Sequence, residues 1–218
     1  MKAVITGANR GIGLEFCKQL KDLRYDVIAI CRTMSPELEK LNVQVIENVD
    51  VRDVDNLKTV KEKINEPIDL LINNAGILIQ DDLKSLNFKT IQDQIEVNSL
   101  GPLKVTLALT PLMRKNTKIV MITSRLGSIA STSDANYYGY RASKAALNMI
   151  SKTLSIELKP KGIAIGIFHP GYVSTDMTDH KGDLDPEVSV KNMLKIIENL
   201  DLKNSGTFWH EDGSTIPW

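Results

Sequence analysis

A chain of 218 residues, 42% hydrophobic and 25% charged, has the size and composition of one globular domain, able to bury roughly 70% of its unfolded surface without staples. Its 27 basic residues balance 27 acidic ones, which argues against a general nucleic-acid partner. Cys17, Cys31 and three scattered histidines match neither a disulfide framework nor a zinc spacing. No run approaches the ~18 apolar residues of a membrane span, and the apolar start of the chain is too short for a signal peptide. The expectation is a soluble cytoplasmic protein with no membrane partner and no metal.

Short β-branched runs alternate with segments of helical period. The strands are expected at Ala3–Thr6, Asp26–Cys31, Val43–Val49, Ile68–Asn73, Lys118–Thr123, Gly162–Phe168 and near Gly206–His210. Most are apolar nearly throughout, as strands covered on both faces are. Helices are expected at Ile12–Leu23, Val54–Ile64, Thr90–Met113, Tyr138–Leu158 and Pro186–Leu200. Such alternation implies right-handed crossovers and an α/β fold: a single doubly wound parallel sheet of about seven strands with helices on both faces. No linker or repeat divides the chain, so positions 1–218 read as one domain. Ser174–Pro186, polar and rich in Asp and Gly, reads as a lid or binding loop.

The first strand runs into Thr6-Gly7-Ala8-Asn9-Arg10-Gly11-Ile12-Gly13, followed by a helix. Gly7 permits the tight turn, Gly11 lets a pyrophosphate approach the backbone, and Gly13 lets helix and strand pack closely. A phosphate would then meet the free N–H groups of the helix N-terminus, with Asn9, Arg10 and Ile12 around it. Glycine turns also serve as plain turns, but strand, helix and next strand stand where a dinucleotide-binding Rossmann unit requires them. An acidic residue about 20 positions on would hold the ribose hydroxyls of NAD(H). Here the second strand ends at Cys31 and Arg32 follows, so Arg10 and Arg32 together favour a 2′-phosphate, hence NADP(H), with NAD(H) as the alternative.

Further short motifs follow in order: Asp50-Val51, Asn73-Asn74-Ala75-Gly76, Asn98, Ser124, Tyr140-x-x-x-Lys144 and Pro170-Gly171-Tyr172-Val173-Ser174-Thr175. With five tyrosines and twenty lysines, a single Tyr-x-x-x-Lys pair is unsurprising by chance. The ordered series, with Gly-x-x-x-Gly-x-Gly at its head, resembles the short-chain dehydrogenase/reductase family from Thr6 to Thr175. The segment around Tyr140 and the Trp-ended tail look most like the sniffer-like carbonyl reductases and the C-factor group.

Tyr140 and Lys144, four apart on a helix, project from one face. The resemblance implies that Tyr140 is the acid/base and that Lys144 lowers its pKa and holds the nicotinamide ribose. Ser124 is implied to orient the substrate carbonyl, with Thr123 its nearest rival. Asn98 is implied to disturb the middle helix and support a proton path to the lysine. Asp50 and Val51 are implied to flank the adenine, and Asn74, Ala75 and Gly76 the adjoining ribose. Pro170, Gly171, Val173 and Thr175 are implied to line the nicotinamide side. The expected activity is hydride transfer between NADP(H) and a small-molecule carbonyl or secondary alcohol, in an open pocket around Leu126, Tyr137, Tyr172 and Met177. The alternative is an NADP-binding regulatory or signalling protein acting through a protein partner. By the same resemblance, a homodimer or homotetramer is expected.

Overall fold

The computed structural model describes residues 1–218. Seven strands form one sheet, β1 (Lys2–Thr6), β2 (Asp26–Ile30), β3 (Gln44–Ile46), β4 (Ile68–Asn73), β5 (Met113–Ile122), β6 (Ala164–His169) and β7 (Thr207–His210). Their order is β3-β2-β1-β4-β5-β6-β7, and every neighbouring pair is parallel. The helices are α1 (Gly11–Asp22), α2 (Pro36–Glu39), α3 (Val54–Ile64), α4 (Phe88–Ile95), α5 (Gly101–Leu109), α6 (Tyr138–Glu157) and α7 (Pro186–Glu198). None is long and apolar enough to cross a membrane.

Two apolar clusters lie on opposite faces of the sheet. Val4, Ile28, Leu71, Ile119 and Ile165 pack with Val60, Leu109 and Leu147 of α3, α5 and α6. The alternate strand residues Ile5, Ala29, Ile72 and Val120 pack with Phe16, Leu20, Val190 and Met193 of α1 and α7. Burial on both faces accounts for the unbroken apolar runs in the strands. Strand order reverses between β1 and β4, so a crevice opens at their carboxyl ends, where the glycine turn and Asn74 emerge.

Several boundaries differ from the sequence expectation. The single helix over Thr90–Met113 is instead α4, a π-turn at Glu96–Leu100, α5 and a 3₁₀ turn at Thr110–Leu112, and β5 begins already at Met113. Pro102 has no N–H to offer the carbonyl of Asn98 four residues back, and Pro111 ends the helical ladder. The third strand shrinks from Val43–Val49 to Gln44–Ile46 because Asn42 and Asn48 take left-handed φ of +51° and +60° and break the extended run on either side. The short α2 was not expected; Ser35 caps it by accepting from Leu38 N at 3.2 Å, with Pro36 in its first turn. Within Ser174–Pro186, one 3₁₀ turn at Asp176–Thr178 is closed off by Ser174 N donating to Leu184 O at 2.9 Å.

Candidate active site

A cleft of about 460 Å³ occupies the switch point, within the usual range for small-molecule sites. It is lined by Gly7, Asn9, Arg10, Gly11, Ile12, Arg32, Asp50, Val51, Asn74, Ala75, Gly76 and Thr175, twelve of the residues singled out in the sequence. Gly7 and Gly11 adopt φ of +65° and +51°, left-handed values that favour glycine. A Cβ on Gly7 would stand 2.8 Å from the Ala75 Cα, so the two strand ends touch there. Asn74 Nδ2 donates to the carbonyls of Thr6 and Gly7, both at 3.1 Å, and Thr6 Oγ1 accepts from the amides of Asn74 and Ala75. These bonds fix the mouth of the crevice.

Gly13 does not line the cleft. A Cβ there would lie 2.2 Å from the Gly7 carbonyl oxygen, which is the close helix–turn packing expected of it. At the head of α1, Arg10 is the capping position but supplies no side-chain bond, leaving the first-turn amides open toward the cleft. Its guanidinium pairs at 3.3 Å with Asp176 of the 174–186 loop, an exposed contact, and Arg32 lines the same cleft.

Sequence reasoning did not select Thr33, Arg52, Ile77, Val97 or Asp176 for this cleft, and Met177, expected at the substrate pocket, also lines it. Arg52 bonds Asp50 through Nε at 3.0 and 3.1 Å and Nη2 at 2.6 Å, and that pairing holds the Asp50 carboxyl below its usual range. The Asp50-x-Arg52 spacing was the available signal.

Beyond Gly76 the cleft meets the polar cluster. Tyr140 and Lys144 share one face of α6, with Nζ 5.6 Å from the ring centroid. Lys144 Nζ donates to Ile122 O at 2.9 Å, and a Cβ on Gly76 would lie 3.7 Å from that nitrogen. Ser124, just past β5, accepts from Leu126 N at 3.2 Å, which leaves its own proton free to donate beside the phenol. Thr123 is turned away, donating to Lys144 O at 3.3 Å. Asn98, fully buried in the π-turn, bonds Ile77 and also donates to Ser143 Oγ at 3.0 Å.

Burial pushes Tyr140 up to about 12, opposed by the Ser124 hydroxyl, and pushes Lys144 down to about 8. The protein's own groups therefore hold the phenol protonated.

Of the Pro170–Thr175 segment, only Thr175 reaches the cleft; its Cγ2 lies 3.3 Å from a Cβ placed on Gly11. Pro170, Gly171 and Val173 stand behind it. Pro170 O accepts from Ser189 Oγ at 2.6 Å, Gly171 has φ +86°, and Val173 O accepts from Thr178 Oγ1 at 2.7 Å. At the ends of β6 and β7, burial drives His169 down to about 3, and donor atoms of His210, Glu211 and Asp212 gather within 4.8 Å, a grouping the spacing rules did not anticipate.

The residues present fit a dinucleotide. A left-handed glycine turn leaves backbone where side chains would block a pyrophosphate, the Arg10 and Arg32 guanidiniums belong to the cleft lining, and Lys144 Nζ stands close behind Gly76 on its wall.

Comparison with known proteins agrees. The family model described as short chain dehydrogenase matches residues 1–185. The 1-hydroxy-2-glutathionyl-2-methyl-3-butene dehydrogenase of Rhodococcus sp. (strain AD45) is 34% identical over 222 residues, covering 99% of this chain and 98% of that protein. The NADPH-bound carbonyl reductase from chicken fatty liver superposes with TM-score 0.91 at 30% identity, over 100% of this chain and 98% of its own. Carbonyl reductase Sniffer of D. melanogaster superposes with TM-score 0.93, also at 30% identity, over 100% and 99%.

Proposed function

The chain belongs to the short-chain dehydrogenase family, as an oxidoreductase of the carbonyl-reductase type, and on that premise we propose that it interconverts a small carbonyl compound and its secondary alcohol with NADP(H). The observation that carries this reading is the meeting of Ser124, Tyr140 and Lys144 beside Gly76, at the inner end of a cleft shaped for a dinucleotide. One domain carries both cofactor and substrate.

Gly7, Asn9, Gly11, Ile12 and the first amides of α1 would hold the pyrophosphate. Arg10 and Arg32 would hold the 2′-phosphate, and Asp50, Val51, Asn74 and Ala75 the adenosine. Gly76, Lys144 and Thr175 would face the nicotinamide half, with Pro170, Gly171 and Val173 shaping the loop behind it. When bound, the nicotinamide supplies the hydride for reduction or accepts it in oxidation.

Within the chain, Ser124 donates to the carbonyl oxygen and fixes its orientation. Tyr140 gives that oxygen its proton as negative charge develops there. The phenolate left behind is buried, and holding a group now near 12 at neutral pH requires roughly 5–7 kcal/mol of favourable charge interaction. That is more than the roughly 4 kcal/mol needed from an unperturbed tyrosine, because burial works against the reaction. Lys144, with Nζ 5.6 Å from the ring centroid, supplies a positive charge on the same helix face. One of its three donors is used by Ile122 O, and two remain for ribose hydroxyls and the phenolate side. Asn98 is a positioning residue, not a reacting one.

An activated phenol has no purpose in a pure binding protein, which sets the regulatory reading behind catalysis. Two buried free thiols suit a reducing cytoplasm. Exposed Leu107 of α5 with Met149 and Ile156 of α6 offer the apolar face for self-association, and a single monomeric boundary in sedimentation would remove that part of the proposal.

The test is NADPH and NADH oxidation by the purified protein against aldehydes, ketones and quinones, with Tyr140→Phe alongside. NADPH-dependent turnover lost in the variant is the expected result. Turnover with NADH alone would retain the chemistry and discard the reading of Arg10 and Arg32. No turnover with any carbonyl, while NADPH still binds, would overturn the reductase.

A further inference from the structure

The helix that carries Tyr140 and Lys144 has no cap of its own. Its capping position is Tyr137, a left-handed residue with φ +58° that makes no side-chain cap bond, preceded by Asn136 at φ +123°. The first amides of a helix have no partner within the helix, and Gly139, in the first turn of this one, is buried away from water.

Asp81, more than fifty residues upstream in the loop after β4, meets three of them in succession. Its carbonyl oxygen accepts from Tyr137 N at 2.9 Å, Oδ1 accepts from Tyr138 N, and Oδ2 accepts from Gly139 N at 3.0 Å. The next residue is Tyr140. Asp81 is 3% exposed, an unusual burial for a carboxylate, and these amides account for it.

Asp81 is in turn held from the other side. Ile77, Ile79 and Asp81 alternate along one short segment. Asn98 bonds the backbone of Ile77, and Gln94, fully buried one turn earlier, accepts from Ile79 N at 2.9 Å. The fit is close: a Cβ on Gly139 would lie 2.4 Å from Gln94 Nε2 and 3.1 Å from Asp81 Oδ2.

We propose that Asp81 is a positioning residue for Tyr140, fixing the first turn of α6 from outside the helix so that the phenol stands at one height beside Ser124. This rests on the reading of Tyr140 as the acid/base. Its two carboxylate oxygens do what a local Ser or Asp cap does, and they tie the helix to the loop that follows Gly76 on the wall of the cofactor cleft. Removing them leaves the cleft residues in place and lets the first turn of α6 fray, so the loss falls on the chemical step.

The experiment compares wild type, Asp81→Asn and Asp81→Ala by steady-state kinetics, NADPH titration by fluorescence and amide hydrogen exchange of the segment containing Tyr138 and Gly139. Expected for Asp81→Ala are a kcat at least tenfold lower, a dissociation constant for NADPH within twofold of wild type, and faster exchange confined to that segment. Asp81→Asn, which retains one acceptor oxygen, recovers a large part of both kcat and protection. Wild-type kcat in Asp81→Ala overturns the inference. So does a loss shared equally by both variants with global loss of exchange protection or failure to fold, which marks a merely structural residue. If only Asp81→Ala fails to fold, Asp81→Asn decides: a several-fold lower kcat with global protection intact supports the inference, and wild-type kcat overturns it. Wild-type turnover that survives Tyr140→Phe would instead overturn the underlying reading, whatever the exchange data show.

Discussion

The carboxamide of Asn98 closes on both backbone groups of Ile77: Oδ1 accepts from Ile77 N at 2.8 Å and Nδ2 donates to Ile77 O at 2.8 Å. The residue sits in the π-turn that interrupts the middle helix, and the segment it grips follows directly on Asn74-Ala75-Gly76 of the cleft wall. Disturbing the helix and holding the wall are thus one arrangement.

Asn98→Ala would leave the amide and carbonyl of Ile77 without partners in a half-buried place, at a cost of roughly 2–4 kcal/mol. The expected result is a lower denaturant midpoint with unchanged slope, together with a fall in kcat. Asn98→Asp keeps the acceptor but sets a buried carboxylate against the Ile77 carbonyl. Burial raises the folded-state pKa of such a group, so its deficit relative to wild type shrinks as pH falls through that value and grows as pH rises. A deficit independent of pH would contradict this account.

The displaced pKa values of Tyr140 and Lys144 set the pH profile. Reduction leaves a phenolate that the Lys144 ammonium must offset, and burial places that ammonium at about 8. With saturating NADPH, kcat/KM for carbonyl reduction is expected to be flat below about pH 8 and to fall above it, while alcohol oxidation, which needs the phenolate, rises with pH. Lys144→Arg keeps its charge throughout this range. It should turn over more slowly and lose the descending limb, and an unmoved limb would assign it to another group.

Much of this site could be read from the chain because its parts are local. The glycine turn, the Asn74-Ala75-Gly76 strand end and the Tyr140–Lys144 spacing each encode a backbone shape or a shared helix face within a few residues. The break in the middle helix at Glu96–Leu100 is local and is implied at Asn98 by the family resemblance, although periodicity alone reads through it. What escaped depends on distance in the fold. Asp81 caps a helix more than fifty residues away, and no spacing rule connects it to Tyr138 and Gly139. Strand ends depend instead on backbone shape: β3 is shorter than its β-branched run because Asn42 and Asn48 on either side of it turn left-handed, at φ +51° and +60°.

Cofactor choice rests on Arg10 and Arg32. Charge-assisted bonds to a 2′-phosphate are worth about 1.5–3 kcal/mol each, or roughly 10- to 150-fold. Arg32→Ala should raise KM for NADPH by at least tenfold and leave KM for NADH within about twofold. Asp176 competes for Arg10 across an exposed 3.3 Å contact worth under about 1 kcal/mol. Asp176→Asn is accordingly expected to lower KM for NADPH a few-fold, an advantage that disappears in high salt. Equal effects on the two cofactors would remove the arginines from discrimination.

Gly13 provides the sharpest test of packing. Replacing a helical glycine by alanine ordinarily stabilises a helix by about 1 kcal/mol. Here the new methyl would stand 2.2 Å from the Gly7 carbonyl oxygen and 2.5 Å from Asn74 Nδ2, so α1 must move off the turn. Overpacking of this kind costs about 1–3 kcal/mol, enough to reverse the sign, and displacing α1 also misplaces the amides meant for the pyrophosphate. Gly213 is the control: φ is +91° and nothing lies within 4 Å of an added Cβ, so Gly213→Ala carries backbone strain alone, about 1–2 kcal/mol. Both variants should melt below wild type, but only Gly13→Ala should lose NADPH binding in a fluorescence titration. Wild-type affinity in Gly13→Ala would mean that the close seating of α1 on the Gly7 turn is not what positions the amides for the cofactor.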